Sequence, residues 1–296
     1  MPANAGGGTG PLLARRSFPL GRRGSLTLLI LLAGVLSYQL LGLSLGDLQP
    51  KAGGRKVAVD FFAAALRPAL DYEDPVPGAD PFLLKILSAL WRTLQFAAAG
   101  IALAIVGGSV LGFLASDSWW SRESQDDRPA FVRRLAPGLQ WGTRLLIAGL
   151  RSVHELLWAV LFLTAMGVSS GAAVIAIALP YSGTLAKVYA EILDESSPRA
   201  ADALRATGAG HRAVFLFGRL PRALPDLFAY SFYRFECAVR SATVLGFFGY
   251  ETLGLHLRQS FNNLHYHETW TVLYVFVGVV LLLEGWSILL RQRFIA

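Results

Sequence analysis

Windows of mostly apolar residues, each about 20 residues long and so able to cross hydrocarbon as a helix, recur near 25–43, 94–115, 145–166, 171–190, 223–249 and 269–290. They predict an all-α membrane protein with six transmembrane helices. The composition agrees: 54% of the 296 residues are hydrophobic and only 16% charged, too apolar for an ordinary soluble domain of this length. The first window has no small-residue cleavage site behind it and leads into a mixed-charge loop, so it reads as a retained helix and not as a removed signal peptide.

Arginine and lysine set the orientation. Segments 1–24, 116–144, 191–222 and 291–296 hold most of the basic residues, among them Arg15, Arg16, Arg133, Arg144, Arg199, Arg212 and Arg222. The intervening loops hold few, and these lie mostly in 44–90 beside acidic residues. The positive-inside rule therefore predicts both termini in the cytoplasm of a multi-pass cell-membrane protein. The expected layout is a disordered cytoplasmic tail over 1–24, a first transmembrane helix over 25–43, and an external loop over 44–90. A five-helix core follows over 91–290, then a short cytoplasmic tail over 291–296. In the external loop, Phe61, Phe62, Ala65, Leu66 and Ala69 fit one apolar face of a short interfacial helix, which prolines and acids between Asp71 and Pro81 then break. The net charge of +7 follows from this topology. Its arginines are spread over loops beside spans, so no nucleic-acid partner is expected.

One polar, basic stretch, 194–224, interrupts the apolar windows and carries its own helix punctuation. Ser197-Pro198 reads as an N-cap followed by proline at the first helical position, Arg199 to Thr207 as a short helix, and Gly208 as its left-handed end. A second short helix fits His211 to Gly218, with Leu220-Pro221 as its stop. Asp202-Ala203-Leu204, three residues, Gly208, nine residues, then Gly218-x-Leu220-Pro221 resembles the cytoplasmic coupling loop of ABC importer permeases, whose pattern is E-A-A, three residues, G, nine residues, I-x-L-P. Asp202 stands for the glutamate, Leu204 for the second alanine and Gly218 for the isoleucine.

The likeness extends along the chain. Arg151-Ser152-Val153-His154-Glu155-Leu156-Leu157-Trp158-Ala159, then Ala203 to Ala209, then Tyr233-Arg234-Phe235-Glu236 and Val239 to Gly246 resemble the phosphonate importer (PhnE-like) permease family over roughly residues 85–290. The resemblance implies a type I ABC importer permease fold with cytoplasmic coupling helices. It implies that Asp202, Ala203, Leu204, Arg205, Gly208, Leu220 and Pro221 meet a partner ABC ATPase, and that two permease copies, identical or paralogous, pair in the membrane. A periplasmic or lipid-anchored binding protein would deliver the substrate, a phosphonate or a related anion such as phosphite or selenate. ATP and magnesium would belong to the partner, since this chain has no G-x4-G-K-[ST] loop to cradle phosphates. No cofactor is expected on this chain, which reads as a permease and not as an enzyme.

Buried charges mark a candidate translocation path or gate. Arg234, Glu236 and Arg240 lie within apolar sequence in the fifth window, where an ionised side chain is costly unless paired or hydrated. Glu236 and Arg240, four residues apart with the acid first, suit an intrahelical pair. Arg234 falls on another side of the helix, where an anionic substrate, a carbonyl or Glu155 would each satisfy it. In the third window Arg151 and Glu155 are again four apart, with His154 beside them. Arg151 is expected near the cytoplasmic end, where its long stem reaches the headgroups. Gly108 and Gly112 suit close helix approach.

Other classes fit less well. A membrane-embedded hydrolase would draw on His154 and Glu155, but the one nucleophile nearby, Ser152, is two residues from His154 and does not face it on a helix. An ion-coupled transporter would show hydropathy repeats, and none stands out. Cys237 is the single cysteine, so no internal disulfide and no cysteine metal site can form. His256, His265, His267, Glu268 and Glu251 are of metal-ligating type but loosely spaced; a surface or partner contact is the expectation, with no metal.

Overall fold

The computed structural model describes residues 22–44, 46, 53–74, 77–120 and 130–295. The tail predicted over 1–24 lies outside them as far as position 21. The described residues are helical and contain no strand. The chain divides into two units, Met1–Val59 and Asp60–Ala296.

The first unit holds α1 (Arg22–Leu40). Its leucines and isoleucine, from Leu28 to Leu36, are all well exposed, and Gly24–Leu40 is an apolar helix shorter than a full span.

The second unit is a helical bundle. After α2 (Gly54–Ala64), which straddles the division, come α3 (Phe82–Ala115), α4 (Ala130–Ser152), α5 (Glu155–Met166) and α6 (Ser170–Glu195). They are followed by α7 (Arg199–Ala206), α8 (His211–Ala213), a π-helical turn (Val214–Arg219), α9 (Leu220–Val244), α10 (Leu253–Asn262) and α11 (Tyr266–Ile295). Its centre is built of small side chains. Ala97, Ala104, Ala173, Ala176, Ala238 and Ala242 are buried between α3, α6 and α9 around Leu185 and Val239. Between spans there is no water to expel, so tight van der Waals contact of small residues drives association. The contact of α3 with α6 is the most intimate. A β-carbon on Gly108 would sit 2.7 Å from Leu185 Cβ, and one on Gly112 would sit 2.9 Å from the Ala186 carbonyl oxygen, as the two glycines predict. Large apolar side chains point outward instead, among them Leu103 and Val110 on α3 and Leu281, Leu282 and Leu289 on α11.

Among the described residues, three helices are long and apolar enough to cross a bilayer: Phe82–Ala115, Ser170–Glu195 and Tyr266–Leu289. The third predicted window is not a straight helix. α4 and α5 meet at an angle of 87°, the geometry of a broken span or of a re-entrant loop. α9 has the length but carries Asp226, Arg234, Glu236 and Arg240, and it does not qualify on apolarity. At 34 residues and 1.5 Å per residue, α3 is about 51 Å long, starting well before its window.

Part of the loop predicted to be external is built onto the start of α11. Trp270 Nε1–H donates to the Phe61 carbonyl at 2.6 Å, Thr271 Oγ1 to Ala69 at 2.6 Å and Tyr274 OH to Ala65 at 2.9 Å. Glu73 N–H donates to Glu268 Oε1 at 2.9 Å, and Glu268 N–H to Glu73 Oε1 at 3.0 Å. The reciprocal pair satisfies one of the orphan donors in the first turn of α11.

A helix–glycine–helix segment anchored to the bundle

The segment between α6 and α9 forms the expected helix, glycine turn and second helix, with changed details. Pro198 is the N-cap of α7, not its first residue, and no side chain caps it. Gly208 has φ +80°, the left-handed conformation that glycine adopts without a Cβ penalty. Its N–H and that of Ala209 bond to the carbonyls of Arg205 and Leu204 at 2.9 and 3.2 Å. Asp202 and Ala203 face solvent, and Leu204 and Arg205 are half-buried; Arg205 Nη1 is 3.1 Å from Asp202 Oδ1.

The Leu220-Pro221 stop is a correction. The π-helical turn Val214–Arg219 runs straight into α9, with Pro221 in its first turn. A proline there forfeits no helical hydrogen bond except the one to Phe217, and a π turn absorbs that mismatch. The second helix of the pair is thus the leading end of a long one.

Two connections absent from the sequence reading hold this segment in place. The Asp194 carboxylate, on the penultimate residue of α6, accepts from Ser116 Oγ and Ser118 Oγ, both at 2.6 Å, and from the N–H groups of Asp117 and Ser118 at 2.9 and 2.8 Å. Arg219 Nη1 donates to Ser118 Oγ at 2.8 Å. One carboxylate thereby joins the ends of α3 and α6 to the start of α9. Beside it, Trp119 packs on Phe113, Phe215 and His211, with ring centroids 4.2, 5.3 and 5.2 Å away. The available signal was weak: Ser-Asp-Ser before Trp119 is a motif that captures carboxylates, but nothing in the chain names its partner.

The charges of the fifth predicted window separate into two groups. Glu236 is buried and pairs with Arg240, whose side chain is 51% exposed, the intrahelical pair predicted. Arg234 Nε donates to the Tyr230 hydroxyl at 2.8 Å, and its guanidinium lies 5.2 and 5.7 Å from the Tyr230 and Tyr233 rings. Its partner is an aromatic neighbour one turn away, and neither a carbonyl nor Glu155.

The bend between α4 and α5 corrects the expectation for Arg151 and Glu155, because a helix break stands between them and they form no four-residue pair. His154 is the N-cap of α5, its Nδ1 accepting from Leu156 N–H at 3.3 Å. Glu155 Oε1 accepts from Ser241 Oγ at 3.0 Å, and Ser241 Oγ lies 3.0 Å from Tyr181 OH, so α5, α6 and α9 share one polar contact. Arg151 lies instead against Gly183, where a β-carbon would be 3.2 Å from Arg151 Cγ. That is level with the middle of α6.

His265 Nε2 is 3.1 Å from Asp74 Oδ2 and its Nδ1 3.6 Å from Glu268 Oε1, while His267 Nδ1 is 2.6 Å from the Arg67 carbonyl oxygen. Among the described residues no group of three or more His, Cys, Asp or Glu side chains is placed to hold a metal ion.

A bundle of this architecture with a helix–glycine–helix insert between α6 and α9 defines a polytopic membrane protein of the type I ABC importer permease fold. The structure of an amino acid ABC transporter with histidines superposes with a TM-score of 0.60 at 15% identity, over 72% of this chain and 95% of that one. The chain belongs to the family of binding-protein-dependent transport system inner membrane components, which residues 129–293 match. It is similar to the phosphite transport system permease protein PtxC of Stutzerimonas stutzeri, 31% identical over 204 residues that cover 68% of each chain. It is also similar to the phosphate-import permease protein PhnE of Mycolicibacterium smegmatis, 32% identical over 159 residues, 54% of this chain and 30% of that one. The protein is thus an ABC importer permease subunit.

Proposed function

We propose that this permease carries a phosphorus oxyanion, a phosphonate or phosphite, inward across the cell membrane. The observation that carries the reading is the similarity to a phosphite permease over two thirds of both chains. A partner ATPase binds ATP and magnesium and docks on α7 through Asp202, Ala203, Leu204 and Arg205, with Gly208 setting the turn. Leu220 and Pro221 pass the movement into α9. Exposed Asp202 and Ala203, on a segment tied rigidly to α3 and α6 by Asp194, suit a lever of this kind. The arrangement requires α7 in the cytoplasm, and with it six spans and both termini inside. A second permease copy completes the pathway and an external binding protein supplies the substrate. Arg151, His154, Glu155, Arg234, Glu236 and Arg240 line the path or its gate.

The test is ATPase activity of the reconstituted permease–ATPase–binding protein complex across phosphonates, phosphite, phosphate and selenate. Stimulation by a phosphorus oxyanion is expected. Stimulation by selenate alone, or by none of the panel, would remove the substrate assignment. A hydrolase gains no support from the geometry, since Ser152 Oγ is bonded to the Gly149 carbonyl and His154 caps a helix.

A further inference from the structure

A cleft of about 370 Å³ opens between the end of α3, α4 and the second half of α6, within the ~300–1,000 Å³ range of small-molecule sites. Three cations line it, Arg144, Arg151 and Lys187, together with Asp117, Glu191 and Asp194. The carboxylates are already engaged. Asp117 Oδ1 lies 2.8 Å from Arg144 Nη2 and accepts from Gln140 Nε2 at 2.8 Å. Glu191 pairs with Lys187 at 2.5 Å. Asp194 accepts the four hydrogen bonds described above, with Arg219 behind Ser118. Arg144 is held further by Nε donating to the Ala115 carbonyl at 3.0 Å.

Arg151 is left over. Among the described residues it forms no hydrogen bond and no ion pair, although its stem is pinned against Gly183 halfway along a spanning helix. The Arg151 side chain is exposed at the cleft, so its guanidinium is open to a ligand. A guanidinium presents forked, charge-assisted hydrogen bonds that suit a tetrahedral oxyanion, and Arg144 and Lys187, each paired with one carboxylate, stand at the same cleft. Gly183 has a part in this. Any side chain there would meet Leu150 Cβ at 2.7 Å, forcing α4 off α6 and carrying Arg151 away from Lys187.

We propose that this cleft is a binding site for a phosphate-type oxyanion, with Arg151 as its primary ligand and Lys187 and Arg144 as flanking cations. Two sources supply that chemistry: a free phosphate or phosphonate ion, and the phosphodiester of an anionic lipid headgroup. The proposal deepens the path assignment made for Arg151 above, and its binding measurement is separable from the identity of the cargo. A transport panel without a phosphorus oxyanion would undo the proposed function and leave the binding measurement standing.

The experiment uses the full-length permease with its ATPase partner, as wild type, Arg151→Ala and Arg151→Lys. In detergent, the unfolding midpoint is followed against inorganic phosphate and methylphosphonate, with chloride at matched ionic strength as control. In parallel, phosphatidylglycerol retained after delipidation is counted by native mass spectrometry. A free-ion site gives a midpoint rise with phosphate or methylphosphonate that chloride does not reproduce, absent in Arg151→Ala and partly kept in Arg151→Lys. A headgroup site gives no such rise, but one phosphatidylglycerol fewer on Arg151→Ala than on wild type. Should Arg151→Ala fail to assemble, wild type against Arg151→Lys decides, because losing the fork alone weakens either signal several-fold. Equal behaviour of wild type and variants in both arms, or a chloride response equal to that of phosphate, overturns the proposal.

Discussion

Gly218 lies so close to Ala201 that a β-carbon on it would fall 2.9 Å from the Ala201 α-carbon. The π turn and α7 therefore touch backbone to backbone, and Ala201 is fully buried at the contact. The position stands where the resembled loop pattern has isoleucine, and glycine here lets the π turn pack directly on α7.

Gly218→Val forces the pair apart, since the neighbour is main chain and cannot rotate away. Overpacking of this kind costs about 1–3 kcal/mol, and ATPase activity coupled to transport should be lost while the protein still reaches the membrane. Substrate-stimulated ATP hydrolysis in proteoliposomes is the measurement. Normal coupling would mean that the spacing of the two helices is immaterial.

Gly208→Val places a β-branched residue at φ +80°, a strain of order 1–3 kcal/mol. Gly208→Asn, which tolerates that region, should retain most of the coupling. Equal loss in both variants would point to a steric contact of Gly208 with the ATPase in place of backbone strain.

Asp194→Ala removes the acceptor of four hydrogen bonds and leaves the Ser116 hydroxyl and the Ser118 N–H without it, at about 1–3 kcal/mol for each donor left buried and unpaired, while Ser118 Oγ keeps the Leu193 carbonyl. The predicted outcome is a lower unfolding midpoint together with faster cleavage of 196–210 by added protease. Asp194→Asn, which keeps one carbonyl oxygen, should fall between. An unchanged cleavage rate would show that the aromatic cluster around Trp119 anchors the segment alone.

In the Glu236–Arg240 pair the carboxylate is the buried partner and the guanidinium is half exposed. Arg240→Ala strands a buried charge and should destabilise more than Glu236→Ala, whose orphaned arginine still reaches headgroups or water. The double variant should recover folding relative to Arg240→Ala. If it then imports substrate at the normal rate, the pair is structural and does not line the path.

Burial, and next the Lys85 ammonium, hold the His256 imidazole below its ordinary value of 6.5, a bond to Gln259 partly opposing them. His256 lies on α10, outside the apolar windows. A histidine depressed in the folded state contributes stability that is present above the ordinary value and falls away as pH drops below it. The unfolding midpoint of wild type should therefore fall on going from pH 7.5 to 5.5 by more than that of His256→Gln. Identical pH profiles would exclude His256 as the source.

Topology is open to direct measurement in a Cys237→Ser background. Cysteine at 262 should be labelled from outside and cysteine at 210 only after permeabilisation. External labelling at 210 would place α7 out of reach of any ATPase.

Much of this protein was legible in the chain because the relevant physics is local. Apolar windows mark helices whatever surrounds them. Gly208 marks its left-handed turn, and Glu236 finds Arg240 one turn away because the helix itself brings them together. Gly108 and Gly112 announced a close approach without naming the helix that fills it. What only the tertiary structure decided involves partners far apart in sequence. Asp194 meets Ser116 and Ser118, Trp119 meets Phe215 and Gly218 meets Ala201, and no periodicity encodes such pairs. The 87° bend that separates Arg151 from Glu155 was equally hidden, since the polar run from Arg151 to Glu155 interrupts the apolar window without giving the angle at which the chain turns there. The docking of α4 and α5 on α6 separates them, and in doing so leaves Arg151 facing a cleft in place of the carboxylate that linear spacing assigns to it.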